Sequence, residues 1–368
     1  MTEPEIIAAL RLQAIPNIGD ITAKKLISHC GSPTAIFKDK PHHLLKIEGI
    51  GQFTLKGLHD AMYLDEAESE YQFISEENIK ASYFMEEDYP AYLKHCVDGP
   101  ILIFKKGNIN LRERRIISVV GTRNITSYGT AFCEAFVEEI APLNPILVSG
   151  FAYGVDIAIQ KAAMKKGLQT VACLAHGLNQ IYPKAHKKYV AQMERNGGFI
   201  TEFWSSSKPD RENFLKRNRI IAGMSEATLV VESAEKGGSL VTADLANGYN
   251  REVFAVPGRC TDKFSRGCND LIKRQKAHLL TSAADLIYLL GWELEEKKEK
   301  YPVQKQLFID LDATERSVHS YLQLNGKQLL DTVALECNLP IHKTSSTLLN
   351  LEMKGLIRPL PGKLFEAI

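Results

Sequence analysis

The sequence predicts an α/β protein whose main domain is an extended Rossmann-like, doubly wound and mostly parallel sheet. Between about residues 83 and 291, short β-branched runs alternate with helical segments. The runs are almost continuously apolar, which is typical of parallel strands buried on both faces, and the helical segments supply the crossovers that such strands require. Six strands are predicted: IISVVG (116–121), ILVSG (146–150), QTVACLA (169–175), GFITEF (198–203), ATLVVE (227–232) and EVFAVPG (252–258).

A small helical domain is predicted before the sheet domain, which is expected to span residues 80–291. Residues 1–66 contain two segments, LQAIPNIGDITAKKLISHC and LLKIEGIGQFTLKGL, in which an apolar stretch leads to a glycine turn and an apolar helix. This pattern predicts a helix-hairpin-helix (SAM-like) domain, whose glycine turns could expose N–H groups to a phosphate. The alternative is that the glycines only let two helices pack closely.

The chain after the sheet domain is predicted to be a linker followed by a winged-helix domain. The stretch 292–306 is polar and highly charged, as a solvated linker is. Residues 307–368 show three helical patterns, with Gly355 capping the third, and then a short hairpin. Within 306–368, six Lys and Arg face seven Asp and Glu, so this segment is a weak candidate for binding a phosphate backbone.

Composition limits the location and the partners of the protein. A chain of 368 residues exceeds the usual size of a single core, and its net charge of +1 means that any site for a polyanion must be a local patch. Seven cysteines without a C-x-x-C pair indicate reduced thiols rather than disulfides or a zinc site. The acidic N-terminus and the lack of an apolar run of about 18 residues predict a cytoplasmic protein that neither is secreted nor spans a membrane.

Two missing motifs bear on cofactors. The strand 116–121 is followed by TRNITSYG, which is not the G-x-G-x-x-G of dinucleotide-binding domains, and the chain contains no G-x-x-x-x-G-K-[ST] loop. We therefore expect no nucleotide cofactor and no ATP hydrolysis.

Glycine-rich helix starts follow three of the predicted strands. They read GTRNITSYG, SGFAYGVD and EKGGSLVTAD. Ligands of doubly wound sheets lie beyond the carboxyl ends of the strands, where free helix N–H groups, hydroxyls and an arginine can bind an anion. Any one of these loops could be explained by the ordinary need for glycine, whereas three on one sheet edge indicate a site. The candidates are Gly121, Thr122, Arg123, Ser127, Gly150, Gly154, Gly237, Gly238 and Ser239.

Basic residues cluster on loops at the same edge, and those after strand 198–203 surround Phe214. Positive charge beside an aromatic ring suits a single-stranded nucleic acid, because the charge follows the backbone and the ring stacks on a base. Phe214 could instead be a core residue, and Asn218 and Arg219 could brace the sheet edge. The basic candidates are Lys184, Lys187, Lys188, Arg211, Lys216, Arg217 and Arg219.

Catalytic patterns are poor in this sequence. His176 and His186 lie near the candidate loops, but no Ser, Cys or carboxylate stands beside either at a known catalytic spacing. They are interpreted as structural histidines. Asp156, at a helix start, is interpreted as a partner of the helix dipole rather than a base.

Several motifs, taken together, resemble one family. VVGTRNITSYG, LVSGFAYGVDIAIQKAA, the IYP of LNQIYPKAH, FLKRNRIIAGMSEATLVVESAEKGGSLVTADLA and REVFAVPG, in this order and spacing, resemble the DNA-processing protein A (DprA, or Smf) family. The likeness is strong over about 110–285. The two flanking domains also match the common three-part layout of the family.

The resemblance implies a protein that binds single-stranded DNA, dimerises through its Rossmann domain and loads RecA recombinase onto incoming DNA during natural transformation. It implies that this protein is not an enzyme and holds no cofactor or metal. It further implies that Arg123, Lys184, Arg211, Phe214 and Arg217 line the DNA pocket.

An enzyme of another class is the alternative. The GGSLVT loop is similar to the GG-x-GT loop of nucleotide-cleaving phosphoribohydrolases, which also have a Rossmann layout. Those enzymes need a catalytic glutamate beside the loop, whereas Ala243 and Asp244 follow it here. The flanking domains would also have no role in hydrolysing a small molecule.

Overall fold

The computed structural model describes residues 1–112, 114–292 and 311–368. The chain divides into two compact units, Met1–Leu279 and Leu280–Ile368, and each is described by itself. Apart from Trp292, the predicted linker lies outside the described residues. Within the described part of the chain, no helix has the length and apolarity needed to cross a membrane.

The first unit begins with a helical bundle around a core that includes Leu10, Leu26 and Ile36. The first predicted hairpin is present, with Gly19 preceding its second helix. The prediction of the second hairpin is wrong for its second helix, because residues 52–59 form consecutive turns. Gly57 has a φ of +84°, a left-handed conformation that interrupts an α-helix. The helices are α1 (Glu3–Ala14), α2 (Asp20–Cys30), α3 (Pro33–Lys38), α4 (Pro41–Leu44) and α5 (Ala61–Glu76).

A nine-stranded sheet forms the rest of the first unit. Its order is β1-β2-β6-β5-β4-β3-β7-β8-β9, and all pairs are parallel except β1 with β2 and β2 with β6. The strands are β1 (Lys80–Tyr83), β2 (Leu102–Asn108), β3 (Ile116–Val120), β4 (Ile146–Ser149), β5 (Thr170–Cys173), β6 (Gly197–Thr201), β7 (Ala227–Val230), β8 (Glu252–Ala255) and β9 (His278–Leu279).

The predicted doubly wound sheet is confirmed, and all six predicted strands are present as β3 to β8. Every residue of β3, β4, β5 and β7 is buried, as the apolar runs indicate. From β3 the chain proceeds to β4, β5 and β6 on one side, and then returns to β7 on the other side of β3. The carboxyl ends of β3 and β7 therefore form the topological switch point, where ligands of such sheets bind.

Two helices of the sheet region, α7 and α10, begin with side-chain caps at this edge. The Thr126 side chain accepts a hydrogen bond from Gly129 N at the start of α7, and Asp210 accepts one from Asn213 N at the start of α10. The helices are α6 (Ala91–Lys94), α7 (Ser127–Ile140), α8 (Val155–Lys166), α9 (Val190–Arg195), α10 (Arg211–Gly223), α11 (Gly238–Gly248) and α12 (Arg266–Lys273), with 3-10 turns at Ala141–Leu143 and Lys184–Tyr189.

The helical bundle and the sheet are joined by partly buried charges. Asp20, the first residue of α2, accepts a hydrogen bond from Ile101 N at 2.9 Å and pairs with Arg219 of α10 at 3.1 Å. Arg219 also pairs with Glu202, which follows β6. The negatively charged carboxylate of Asp20 thus lies at the start of α2, where the glycine turn could otherwise bind a phosphate. This favours the alternative that the glycine of the first hairpin serves helix packing.

The second unit contains the winged-helix domain that the sequence predicts. A capping box between Asp312 and Glu315 starts α14, Val318 and Leu348 lie in its core, and Gly355 follows α16 with a φ of +69°. Its elements are α13 (Ala283–Leu289), α14 (Ala313–Asn325), β10 (Gln328–Leu329), α15 (Leu330–Glu336), α16 (Ile341–Met353), β11 (Ile357–Leu360) and β12 (Leu364–Ala367).

Candidate nucleic-acid interface

A cavity of about 800 Å³ lies at the switch point, beyond the carboxyl ends of β3 and β7. Its walls are the loop 121–124 after β3, the loop 233–239 after β7, and one side of α10. Most of the candidates from the sequence lie together here. Those that line the cavity are Gly121, Thr122, Arg123, Arg211, Phe214, Arg217, Asn218, Gly237, Gly238 and Ser239.

The loop after β3 is positioned by close backbone packing. Gly154 has a φ of +79°, and a Cβ at this residue would lie 2.7 Å from the Cα of Arg123. Val155 N donates a hydrogen bond of 3.1 Å to Thr122 O. Gly154 therefore does not line the cavity but supports the residue that does.

Arg123 and two aromatic rings form one wall. The Cζ atom of Arg123 lies 5.1 Å from the centroid of the Phe214 ring, and the Tyr182 ring lies 5.9 Å from the same centroid. Phe214 is only partly buried, so the alternative that it is a core residue is wrong. Arg123 is exposed, and its charge is available beside an aromatic surface.

Arg217 lines the cavity but has a structural environment. Only 4% of it is exposed, and its Nη1 donates to the carbonyl oxygens of Gly150, at 2.9 Å, and of Cys173. Its guanidinium occupies the space that a side chain at Gly150 would fill. Arg217 therefore holds the ends of β4 and β5 together under the cavity.

A buried acid balances the charge of Arg217. Oδ2 of Asp156 accepts hydrogen bonds from Gly150 N at 3.1 Å and Ala152 N at 3.2 Å. Burial raises the pKa of Asp156, and the charge of Arg217 opposes that shift; burial lowers the pKa of Arg217, and Asp156 opposes that. The carboxylate of Asp156 therefore holds the loop after β4 by hydrogen bonds and stabilises the charge of Arg217, in addition to any interaction with the helix dipole.

The sequence missed several lining residues that carry charge or an aromatic ring. Lys236 and Lys263 are exposed at the cavity, and Tyr182 lies beside Phe214. Lys236 stands next to the predicted Gly237, so extending that loop by one residue would have found it. Lys263 belongs to the loop after β8, and the prediction took only its VPG motif from that region.

Besides Gly154, seven candidates lie outside the cavity lining: Ser127, Gly150, Lys184, Lys187, Lys188, Lys216 and Arg219. Gly150 packs on Arg217, and Arg219 belongs to the ion pairs with Asp20 and Glu202. Ser127 lines a neighbouring cavity of about 890 Å³. Lys184 lines another, of about 1130 Å³.

Glu232 and the two histidines considered for catalysis are engaged in structural hydrogen bonds. Glu232, directly before the 233–239 loop, accepts hydrogen bonds from Thr126 N at 2.9 Å and Thr126 Oγ1 at 2.5 Å, and so fixes the cap of α7. His176 and His186 are buried, and Nδ1 of each lies 2.9 Å from a backbone carbonyl oxygen. These contacts agree with the structural interpretation of both histidines.

Comparison with known families identifies this architecture. The family model for DNA recombination-mediator protein A matches residues 80–291, and the family model for the DprA winged helix domain matches residues 309–363. The chain belongs to the DNA recombination-mediator protein A family. The resemblance seen in the motifs is thereby confirmed.

Relatives and solved structures agree with this family. The chain is 36% identical to DNA processing protein DprA of Bacillus subtilis over 61% of this chain and 75% of that protein. It is 33% identical to Protein Smf of Escherichia coli over 75% and 74% of the two chains.

Two solved structures share the fold. DNA processing protein A of Streptococcus pneumoniae matches with a TM-score of 0.64 at 28% identity, covering 78% of this chain and 97% of that one. DNA processing protein A of Helicobacter pylori, whose structure concerns its single-stranded DNA binding mode, matches with a TM-score of 0.51 at 26% identity, covering 57% and 95%.

Proposed function

We propose that this DNA-processing protein binds single-stranded DNA in the cavity at the switch point and loads RecA recombinase onto it during natural transformation. The proposed DNA-binding residues are the predicted residues that line this cavity, with Arg123 and Phe214 as the central pair, and the predicted Lys184 beside it. Arg217, Gly150 and Gly154 contribute by shaping the cavity. The protein acts in the cytoplasm, as a dimer formed through its Rossmann domain, and without catalysing a reaction.

The observation that carries the proposal is an exposed cation beside an aromatic ring at the ligand-binding edge of the sheet. Arg123, Arg211, Lys236 and Lys263 are exposed at the cavity, and Phe214 stands among them. A net charge of +1 over the whole chain makes this a local concentration of positive charge. Phosphates are bound by such cations, while exposed bases stack on rings and need no sequence-specific hydrogen bonds.

The aromatic component favours single strands. In a duplex the bases are already stacked and their faces are not accessible, so a ring in a cavity can contact a base only when the strand is unpaired. The single-stranded DNA binding of the Helicobacter pylori relative supports the same preference. The RecA-loading step rests on membership of a recombination-mediator family.

Binding is tested by fluorescence anisotropy with labelled oligo-dT of about 20 nucleotides, a length beyond typical single-site sizes. We expect tighter binding to oligo-dT than to a blunt duplex of the same length. The logarithm of affinity should fall against the logarithm of salt concentration by roughly 0.7 per phosphate contacted. Equal affinity for the duplex would contradict a cavity that takes unpaired bases.

RecA loading is tested separately. RecA filament growth is followed on single-stranded DNA already coated with a single-strand-binding protein, with and without this chain. We expect faster filament growth with the parent protein and no acceleration with Arg123→Ala. Arg274→Ala, at an exposed arginine directly after α12 and outside the cavity lining, is the matched control. DNA binding without any acceleration would refute the loading role alone.

A further inference from the structure

A second cavity adjoins the proposed DNA site and shares part of its wall. It has a volume of about 1130 Å³, and Tyr182 and Pro209 line both cavities. Tyr182 is 44% exposed, so its ring is accessible at this boundary. The two residues form a ridge, and a chain that leaves the first cavity across the ridge enters the second.

The second cavity carries more positive than negative charge, because four lysines and one acid, Glu194, contribute to its lining. Lys184, Lys187 and Lys208 are exposed at its lining, and the described residues form no ion pair with any of the three. A fourth lysine, Lys106, is paired with Glu77 at 2.9 Å. Three free ammonium groups around one groove attract a chain that carries repeated negative charge.

Hydrogen bonds hold the far wall of the second cavity in place. Gln180 Nε2 donates to Ser207 O at 2.9 Å, which ties the loop after β5 to the segment before α10. Asn213 Nδ2 donates to Lys208 O at 3.0 Å. Asn213 lies one residue before Phe214 on α10, so the backbone of Lys208 is anchored to the helix that carries the ring of the first cavity.

The floor of the second cavity is apolar. Leu178, Ile181, Val190 and Phe199 contribute to its lining. An apolar floor flanked by ammonium groups suits a single-stranded nucleic acid, whose bases are apolar on their faces and whose backbone is charged. An acidic peptide would satisfy the lysines but would leave the apolar floor without a partner.

We propose that the second cavity is a subsite for the continuation of the same single strand, which crosses the Tyr182 and Pro209 ridge, passes the predicted Lys184 and places its next phosphates on Lys187 and Lys208. The inference rests on the proposed function, since it extends that DNA site by a further segment. It predicts that affinity depends on strand length and that these lysines matter only for strands long enough to reach them.

The test uses the full chain, oligo-dT of about 6 and about 20 nucleotides, and the double variant Lys187→Ala/Lys208→Ala. We expect the short strand to bind the variant and the parent equally. The long strand should bind the variant about tenfold more weakly, with a salt slope smaller by about 1.4, or two phosphate contacts. The control is Lys165→Ala/Lys273→Ala, which removes the same charge from two exposed lysines outside both linings.

Each other outcome overturns the inference in a recognisable way. Unchanged binding of the long strand, with Arg123→Ala still impaired, would leave the first site intact and remove the second. Equal losses for both lengths would assign the lysines to the first site. A polyglutamate peptide that loses affinity for the variant, while long oligo-dT does not, would assign the groove to an acidic protein segment. A parent protein that binds neither strand would refute the proposed function itself.

Discussion

The guanidinium of Arg123 lies over the ring of Phe214, with Cζ 5.1 Å from the ring centroid, although the two residues are 91 positions apart in the chain. One residue comes from the loop after β3 and the other from the first turn of α10, and they meet because this loop and this helix start both line the cavity at the switch point. The pair combines a charge and a stacking surface. Because salt screens charge but not stacking, the two contributions can be separated experimentally.

Replacing Arg123 by Ala is expected to weaken binding of oligo-dT and to flatten its salt dependence. The loss of one phosphate contact should reduce the slope of log affinity against log salt by about 0.7. The measurement is a salt titration of anisotropy for the parent, Arg123→Ala and the control Arg274→Ala. An unchanged slope would show that Arg123 contacts no phosphate.

Replacing Phe214 by Ala is expected to cost about 1–3 kcal/mol of binding free energy with almost no change in the salt slope. Because the ring is only partly buried, the melting temperature should stay close to that of the parent. The matched control is Phe53→Ala, which removes a 72% exposed ring outside the cavity lining. A folded Phe214→Ala protein that binds oligo-dT as well as the parent would refute the stacking role.

Arg217 should behave differently from its neighbours on α10. Arg217→Met leaves the buried carboxylate of Asp156 without its guanidinium, which is expected to cost about 3–5 kcal/mol of unfolding free energy. Urea denaturation followed by circular dichroism measures this loss. Arg211→Ala, an exposed residue at the start of the same helix, should leave stability nearly unchanged.

A second variant distinguishes a structural role for Arg217 from a direct contact with DNA. Adding Asp156→Asn to Arg217→Met removes the stranded charge and should recover part of the lost stability. If Arg217→Met is as stable as the parent but fails to bind oligo-dT, Arg217 contacts the DNA directly and the structural account is wrong.

The central strands were predictable because each is buried on both faces and its sequence is almost continuously apolar. The antiparallel strands β1 and β2 were not, since Lys80 and the last residues of β2 are exposed and interrupt the pattern. The two-residue strand β9 is too short to leave any pattern. Around Gly57 the sequence predicted an element that is absent: the apolar periodicity indicated a helix, but the backbone of Gly57 is left-handed.

The candidate site was predictable to the extent that strand ends converge. Arg123, Phe214 and Gly238 are far apart in the chain and could be grouped because each follows a strand of one parallel sheet. The burial of Arg217 and Arg219 could not be predicted from the same segment. Charged residues in a helix are normally exposed, and only the tertiary contacts to Asp156 and Asp20 reveal these two as structural.

The ion pairs between α2, α10 and the β6 loop predict a pH dependence of stability. Glu202 has a side chain only 10% exposed, and it shares the single guanidinium of Arg219 with Asp20. The pKa of Glu202 is raised to about 7; burial is the main cause, the charge of Arg219 opposes the shift, and the charge of Asp20 adds to it. The folded protein therefore takes up a proton on Glu202 that the unfolded chain, with a pKa near 4.5, has already released.

The sign of the effect follows from this proton uptake. Between about pH 4.5 and pH 7 the folded state binds more protons than the unfolded state at Glu202, so the free energy of unfolding falls as pH rises through this window. At about 1.4 kcal/mol per pKa unit, Glu202 contributes a decrease of up to about 3 kcal/mol.

Glu202→Gln, which cannot ionise, should lose less stability than the parent between pH 5 and pH 7.5, as measured by urea denaturation at both values. Glu87→Gln, at an exposed carboxylate, should follow the parent. If Glu202→Gln showed the same pH dependence as the parent, Glu202 would be ionised throughout this range and held so by Arg219.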